Sequence, residues 1–218
     1  MTDVNLITTA EFQAYAPEID ISQYTEPTLS GMISQASGMV SDFLDFTPVL
    51  EVITDESKRG MVTTDGDLLI FPNKIPVQSV ASIGIYKGTT TVQVVLQDGA
   101  GNNRYNIDYT KRNVRVPWGE VAITGNPVFN NFFQLRGIEF YTKMTYTGGW
   151  AFSELPKAIK QATILYMRDI ISRKYNPQGA SRITQGAITL EFAQRKNGET
   201  SDLVADAEKL LASYRKIG

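Results

Sequence analysis

The chain has 218 residues, 42% of them hydrophobic and 20% charged, which suffices for a substantial core in one domain or two small ones and excludes a disordered protein. Its 21 Lys+Arg against 23 Asp+Glu leave a net charge of −2, so there is no electrostatic footprint of a dedicated nucleic-acid binder. With no Cys and no His, disulfides, thiolate metal sites and Ser-His-Asp catalysis are excluded, and the commonest general base is missing.

Thr8 and Glu11 have the spacing of a capping box, and Ile7 and Phe12 that of a hydrophobic staple, so a short helix is predicted to open the chain and end before Pro17. A second helix is predicted from about Thr25, with Pro27 in its first turn. Leu29, Ile33, Ala36, Val40 and Phe43 form its apolar face, and Pro48 closes it. The N-terminus lacks the basic and apolar regions of a secretory signal, and no run of about 20 apolar residues occurs. The chain is therefore expected to be made and kept in the cytoplasm, or in something assembled there.

From Val49 to Met144 the period changes to that of strands. Leu68–Phe71, Val77–Tyr86, Thr91–Leu96, Tyr105–Tyr109, Val114–Trp118, Val121–Thr124 and Ile138–Thr145 are the candidates. Turn chemistry lies at Asp65-Gly66, Asp98 to Asn102 and Gly125-Asn126-Pro127, and an antiparallel sandwich or barrel is the natural architecture. Ser153 reads as the N-cap of a third helix, with Leu155, Ile159, Ala162, Tyr166 and Ile170 as its stripe and Asn176-Pro177 as its stop. Run to Tyr175, that helix would be about 33 Å long. Ser201 and Asp202 cap a last helix whose stripe is Leu203, Ala207, Leu210, Leu211, Tyr214 and Ile217. The expected fold is α+β. Residues 1–48 and 151–218 make a helical bundle from both chain ends, and residues 49–150 make an inserted antiparallel β domain.

Between the last two helices, Ile188, Leu190 and Phe192 alternate with Thr189, Glu191 and Ala193, as in a strand or extended arm. Its neighbours in sequence are helices, so its β partner is expected from elsewhere. Either the chain's own β domain supplies it, or another protein does.

The search for chemistry yields little. The acid pairs Asp55-Glu56 and Asp65/Asp67 have the residue types of a glycosidase but sit in turn-like contexts. Asp98 to Asn103 offers oxygen ligands without the alternating acids and distal Glu of a calcium loop. Lys157, Lys160 and Arg168 fall near one side of the third helix, as phosphate contacts or as a solvated face. Tyr105, Tyr109 and Trp118 alternate, as a stacking platform or as core.

The two ends carry a resemblance. "NLITTAEFQAYAP", with a helix ending "MVSDFLDFTP", resembles the opening of head–tail connector (head-completion adaptor) proteins of tailed bacteriophages. In "TYTGGWAFSELPKAIKQATILYMRDIISRKY", Tyr146, Gly148, Gly149, Trp150, Leu155, Pro156 and Ala158 occupy the places of that family's motif. That motif is a Tyr, a Gly pair or Gly-aromatic, a Leu-Pro or Val-Pro, and then a long helix. "AEKLLASYRKIG" is similar to its terminal signature at Leu210, Leu211, Tyr214 and Arg215. The stretch from Val49 to Met144 departs from the smallest members, which have a short hairpin there, while larger members carry a β domain.

The resemblance implies a dodecameric ring in the virion neck, docked under the portal protein. Adaptor subunits would flank each copy and stopper or tail proteins would lie beyond. Double-stranded DNA would pass transiently and non-specifically through the lumen. It implies no catalysis, no cofactor or metal, and no membrane partner. Ile188, Leu190, Phe192, Tyr214 and Arg215 are the expected partner-binding residues. The rivals are a carbohydrate- or receptor-binding tail module carried on the β domain, and a wall-degrading hydrolase using Asp65 and Asp67.

Overall fold

The computed structural model describes residues 4–87, 90–108, 112–117, 140–175, 182–185, 188–191 and 201–215. The chain divides into two compact units, Met1–Thr47 with Phe152–Gly218, and Pro48–Ala151.

In the first unit, helix α1 spans Thr9–Tyr15, α2 Glu26–Leu44, α3 Lys157–Tyr175 and α4 Asp202–Leu211. The capping box forms: Thr8 Oγ1 accepts from the Glu11 amide at 3.1 Å, and Glu11 accepts from the Thr8 amide at 2.8 Å. Ile7 and Phe12 are both buried beside it. On α2 the expected stripe of Leu29, Ile33, Ala36 and Val40 is buried, joined by Met32, Ser37 and Leu44. Phe43 is only half-buried, and Leu44 takes the inward place at the last turn. Ser37 Oγ accepts from the Leu6 amide at 3.0 Å, which fixes the N-terminal segment on α2.

Helix α3 begins at Lys157, so Ser153 is not its cap. Phe152–Glu154 form a 3₁₀ turn instead. Leu155 precedes a proline and is biased away from helical geometry, and the Pro156 carbonyl accepts the first amides, Ile159 at 3.0 Å and Lys160 at 3.2 Å. Its 19 residues therefore span about 28 Å rather than 33. Ile159, Ala162 and Tyr166 are buried as expected, while Ile171 rather than Ile170 is fully covered. Helix α3 packs against both α2 and α4.

In the second unit, strands β1 (Glu51–Arg59), β2 (Met61–Val62), β3 (Leu68–Ile70), β4 (Val77–Lys87), β5 (Thr90–Gln93), β6 (Asn106–Asp108), β7 (Asn113–Val116) and β8 (Tyr141–Gly148) build two four-stranded antiparallel sheets, ordered β1-β8-β4-β5 and β2-β3-β7-β6. Both contribute to one core: Leu68, Ile70, Val114 and Val116 from one sheet, and Val77, Ile83, Ile85, Met144 and Tyr146 from the other. That is sandwich packing. Strand β1 was not foreseen. As an edge strand it buries little, and its sequence, EVITDESKR, is mostly exposed polar residues without apolar alternation. The expected strand Val121–Thr124, the Gly125-Asn126-Pro127 turn, Tyr109 and Trp118 lie outside the described residues.

The segment expected as an extended arm is half of a hairpin. Strand β9 (Arg182–Gln185) pairs antiparallel with β10 (Ile188–Glu191), with Ile188 opposite Gln185 and Leu190 opposite Ile183. Among the described residues its β partner is the segment immediately before it. RITQ is short and has no clear alternation, so nothing marked it as a strand.

Candidate functional site

Most of the groups singled out for chemistry are engaged structurally where the structure describes them. Asp55 stands at the β1 bulge with φ 52, its amide donating to Thr145 Oγ1 at 3.2 Å. Its neighbour Glu56 accepts from the Asn73 amide at 2.9 Å and from the Tyr146 hydroxyl at 2.5 Å, and pairs with Lys58 at 3.3 Å. Asp67 is buried and accepts from Arg115 Nε at 2.6 Å, while Asp65 is exposed on the turn before it. Neither acid pair is set up as an acid and a base across an open cleft.

The Asp98 carboxylate is taken up by its own loop. It accepts from the amides of Ala100 and Asn102, both at 2.8 Å, and from Asn102 Nδ2 at 2.9 Å. Those bonds, the Asn102 side chain foremost, hold the carboxyl below its ordinary pKa. Among the described residues no group of three or more His, Cys, Asp or Glu is placed to hold a metal ion. Tyr105 is half-buried, lines an open groove of about 470 Å³ beside β4, and accepts from the Val80 amide at 3.4 Å.

Two of the three basic residues singled out on α3 serve their own unit, and Lys157 is exposed. Lys160 Nζ lies 2.6 Å from Glu11 and 4.8 Å from the Phe152 ring centre, and Arg168 pairs with Glu18 at 2.5 Å. Burial alone would raise the Glu11 pKa, but Lys160 and the Thr8 groups outweigh it and hold it below the ordinary value. This contribution is complete above the ordinary carboxylate pKa and is lost as pH falls through the lowered one.

The motif at the end of β8 has a structural cause that residue spacing does not reveal. Tyr146 is fully buried, and its hydroxyl donates to Glu56 and accepts from the Lys74 amide at 3.0 Å. Burial first, and then the Glu56 carboxylate, push the phenol upward, so it stays protonated as a donor. Lys74, itself buried, reaches Glu51 at 2.6 Å. Tyr146→Phe is expected to lower stability by about 2 kcal/mol, read by chemical denaturation, because the buried Lys74 amide and Glu56 both lose a partner.

Beyond Tyr146, Gly148 pairs with Glu51 on one side and Val77 on the other. Gly149 donates to the Pro76 carbonyl at 2.9 Å and accepts from Gln78 Nε2 at 2.9 Å. Trp150 donates to the Pro48 carbonyl at 2.9 Å and accepts from the Leu50 amide at 2.8 Å. The strands by which the chain comes into and leaves the β unit are therefore stitched together at this motif.

The expected partner-binding residues fall in two places. Ile188 and Leu190 sit on β10, and Phe192 lies outside the described residues. Tyr214 and Arg215 form a turn after α4, their amides donating to the Leu211 carbonyl at 2.8 and 3.2 Å. The Arg215 guanidinium lies 5.3 Å from the Phe43 ring centre and so closes against α2.

No family model matches the chain, and no curated protein does. Among solved structures, the chain is similar at 14% identity and a TM-score of 0.48 to one described as the neck of an empty gene transfer agent particle, over 100% of this chain and 91% of that one. It is likewise similar to one described as the virion of a native gene transfer agent particle, at 14% identity and a TM-score of 0.42, with the same coverage of both chains.

Proposed function

We propose that the chain is a non-catalytic structural subunit of the head–tail connection of a tailed bacteriophage. In this reading it is an adaptor that forms a dodecameric ring between the portal and the neck or tail, with the genome passing through its lumen. The observation that carries it is the pairing of the chain's ends. The two segments that resemble connector proteins are separated by about half the chain, yet they belong to one compact unit, and the stretch that departs from the family is a unit of its own. The internal engagement of the acids and cations singled out above supports a scaffold rather than a catalyst.

On this reading residues 1–48 and 151–218 are one folding domain and the β sandwich is an insertion. The β9–β10 hairpin, with Ile188 and Leu190, and Phe192 after it in sequence reach the portal or an adjacent subunit, and Tyr214 and Arg215 make a second contact. A two-stranded hairpin has outer edges whose amides and carbonyls are not used within it, so main-chain pairing with a partner strand supplies affinity. Ring neighbours make heterologous contacts that close only with the correct rotation, and the portal supplies that rotation as a template.

The test is to mix the full chain with its portal and weigh the product by native mass spectrometry. Twelve copies per portal ring are expected. Leu190→Ser is expected to abolish co-assembly while the melting temperature of the free chain stays unchanged. No complex at micromolar concentration would overturn the assignment.

A further inference from the structure

In the sheet ordered β1-β8-β4-β5, the outer edge of β4 is covered along only part of its length. Strand β5 pairs with Gly84–Lys87, and one further bond joins the Val94 amide to the Ile83 carbonyl at 2.8 Å. Among the described residues no strand continues along that edge beyond Ile83. An open groove of about 470 Å³ lies there instead, lined by Val80–Ser82 of β4 and by Val94–Gln97, Asn103 and Tyr105. That volume is within the roughly 300–1,000 Å³ of small-molecule sites. Val80, Leu96 and Tyr105 are partly buried and packed against the sandwich core, which makes a firm floor. Gln97 and Asn103 are exposed and pair directly across the base of the Asp98 loop, so their side chains share one face. The Asp98 carboxylate holds that loop from inside, and the Arg104 amide donates to the Leu96 carbonyl at 2.7 Å on the same ladder. The two side-chain amides are thus carried on backbone that is already fixed.

None of the residues lining the groove is charged. An anionic ligand would find no cation there, and a cationic one no carboxylate. The polar groups present, the Gln97 and Asn103 amides and the Tyr105 and Ser82 hydroxyls, each both donate and accept. A wholly apolar ligand would cover them without giving them partners. A peptide strand laid along β4 would meet an irregular edge, because the register of β4 slips between Val80 and Ser82. Such a bulge interrupts regular main-chain pairing. Sugar hydroxyls donate and accept as these side chains do, and the C–H faces of sugar rings suit an apolar floor.

We propose that this groove binds a neutral oligosaccharide. Gln97 and Asn103 hydrogen-bond ring hydroxyls from the rim, while Val80, Leu96 and the Tyr105 ring carry the apolar faces of the sugar. The contact is shallow and uncharged, so its affinity is modest, with Kd on the order of 0.1–1 mM, and insensitive to salt. It does not rest on the adaptor reading: a chain that joins no portal can still bind sugar here, and a subunit that completes a ring can fail to.

The experiment is a titration of the full chain, followed by amide nitrogen–proton correlation spectra, with neutral hexasaccharides of glucose, mannose, galactose and N-acetylglucosamine. Binding of at least one of them is expected, with the shifted amides centred on Val80–Ser82, Val94–Gln97 and Asn103–Tyr105. The affinity is expected to stay constant between roughly 50 and 500 mM salt. Gln97→Ala and Asn103→Ala are each expected to weaken binding about 3- to 10-fold, the effect of one lost neutral hydrogen bond. Both positions are exposed, so the melting temperatures are expected to stay unchanged and to report that the variants fold. Lys157→Gln, on α3, is the control and leaves the affinity as it is. The proposal is overturned if none of the four sugars shifts these amides at about 10 mM, or if the shifts fall elsewhere. A folded double variant that binds as the parent does would also overturn it. So would a short neutral Thr/Val peptide that shifts the same amides while no sugar does, which would assign the edge to strand addition.

Discussion

Replacing Gly149 with Ala is expected to cost at least about 3 kcal/mol, because two penalties coincide at one atom. Gly149 has φ +97, a conformation that an L side chain adopts only under strain. A Cβ there would lie 2.5 Å from the Val49 carbonyl oxygen, 2.7 Å from the Val49 carbonyl carbon and 2.9 Å from the Pro48 carbonyl oxygen. All three are backbone atoms of the incoming strand. They are held by the Leu50–Trp150 and Trp150–Pro48 hydrogen bonds and cannot swing aside as a side-chain tip would. Relief requires opening that ladder, which gives up its two backbone hydrogen bonds. The measurement is urea denaturation followed at two wavelengths. If the sandwich is an independently folding insertion, the tryptophan signal shifts to lower denaturant while the helical circular dichroism keeps its midpoint. Coincident shifts would show one cooperative unit instead. A destabilisation below about 1 kcal/mol would refute the close approach itself.

That junction also shows where residue spacing stops being informative. Two helix starts of the first unit were legible because capping is local, whereas the expected Ser153 cap failed because Pro156 moves the start of α3 to Lys157. Thr8 with Glu11 and Ser201 with Val204 are decided within three residues, and both form as expected. The apolar stripe of α2 was legible because its period of 3.6 is fixed by the backbone. Strand β1 was not, since an edge strand needs few inward side chains, and its ladder depends on β8, which lies far along the chain. The two glycines of the β8 motif were visible as a motif, but their causes were not: Gly148 approaches Lys74 and the Tyr146 ring, and Gly149 approaches Pro48 and Val49, about a hundred residues away. The candidate acids were visible as residue types. What removes them from catalysis is who meets them: Arg115 for Asp67, and Tyr146 and Asn73 for Glu56, all contacts across strands.

Asp169→Ala is expected to lower stability by about 2–4 kcal/mol. Asp169 is fully buried on α3. Its Oδ1 accepts from the Ser201 hydroxyl at 2.7 Å, and its Oδ2 meets Arg173 Nε at 2.7 Å. Ser201 Oγ in turn accepts from the Val204 amide at 3.2 Å, so one hydroxyl caps α4 and ties that cap to α3. The carboxylate also sits next to the N-terminus of α4, where a negative charge is favoured by the helix dipole. Arg173 is exposed, so its share of the stability is small, and most of the loss comes from the cap and the buried hydroxyl. Ser201→Ala alone is expected to cost about 1–2 kcal/mol, the usual range for a lost N-cap. Asp169→Asn keeps an acceptor for Ser201 and is expected to fall between the parent and the alanine variant. Because the two residues share one hydrogen bond, the double variant Asp169→Ala with Ser201→Ala is expected to lose less than the two single losses added together. The shortfall is expected to be about 1 kcal/mol in a chemical-denaturation cycle. Strict additivity would mean that the hydroxyl and the carboxylate are not coupled, and that α4 is held to α3 by Val204, Ala207 and Leu211 alone.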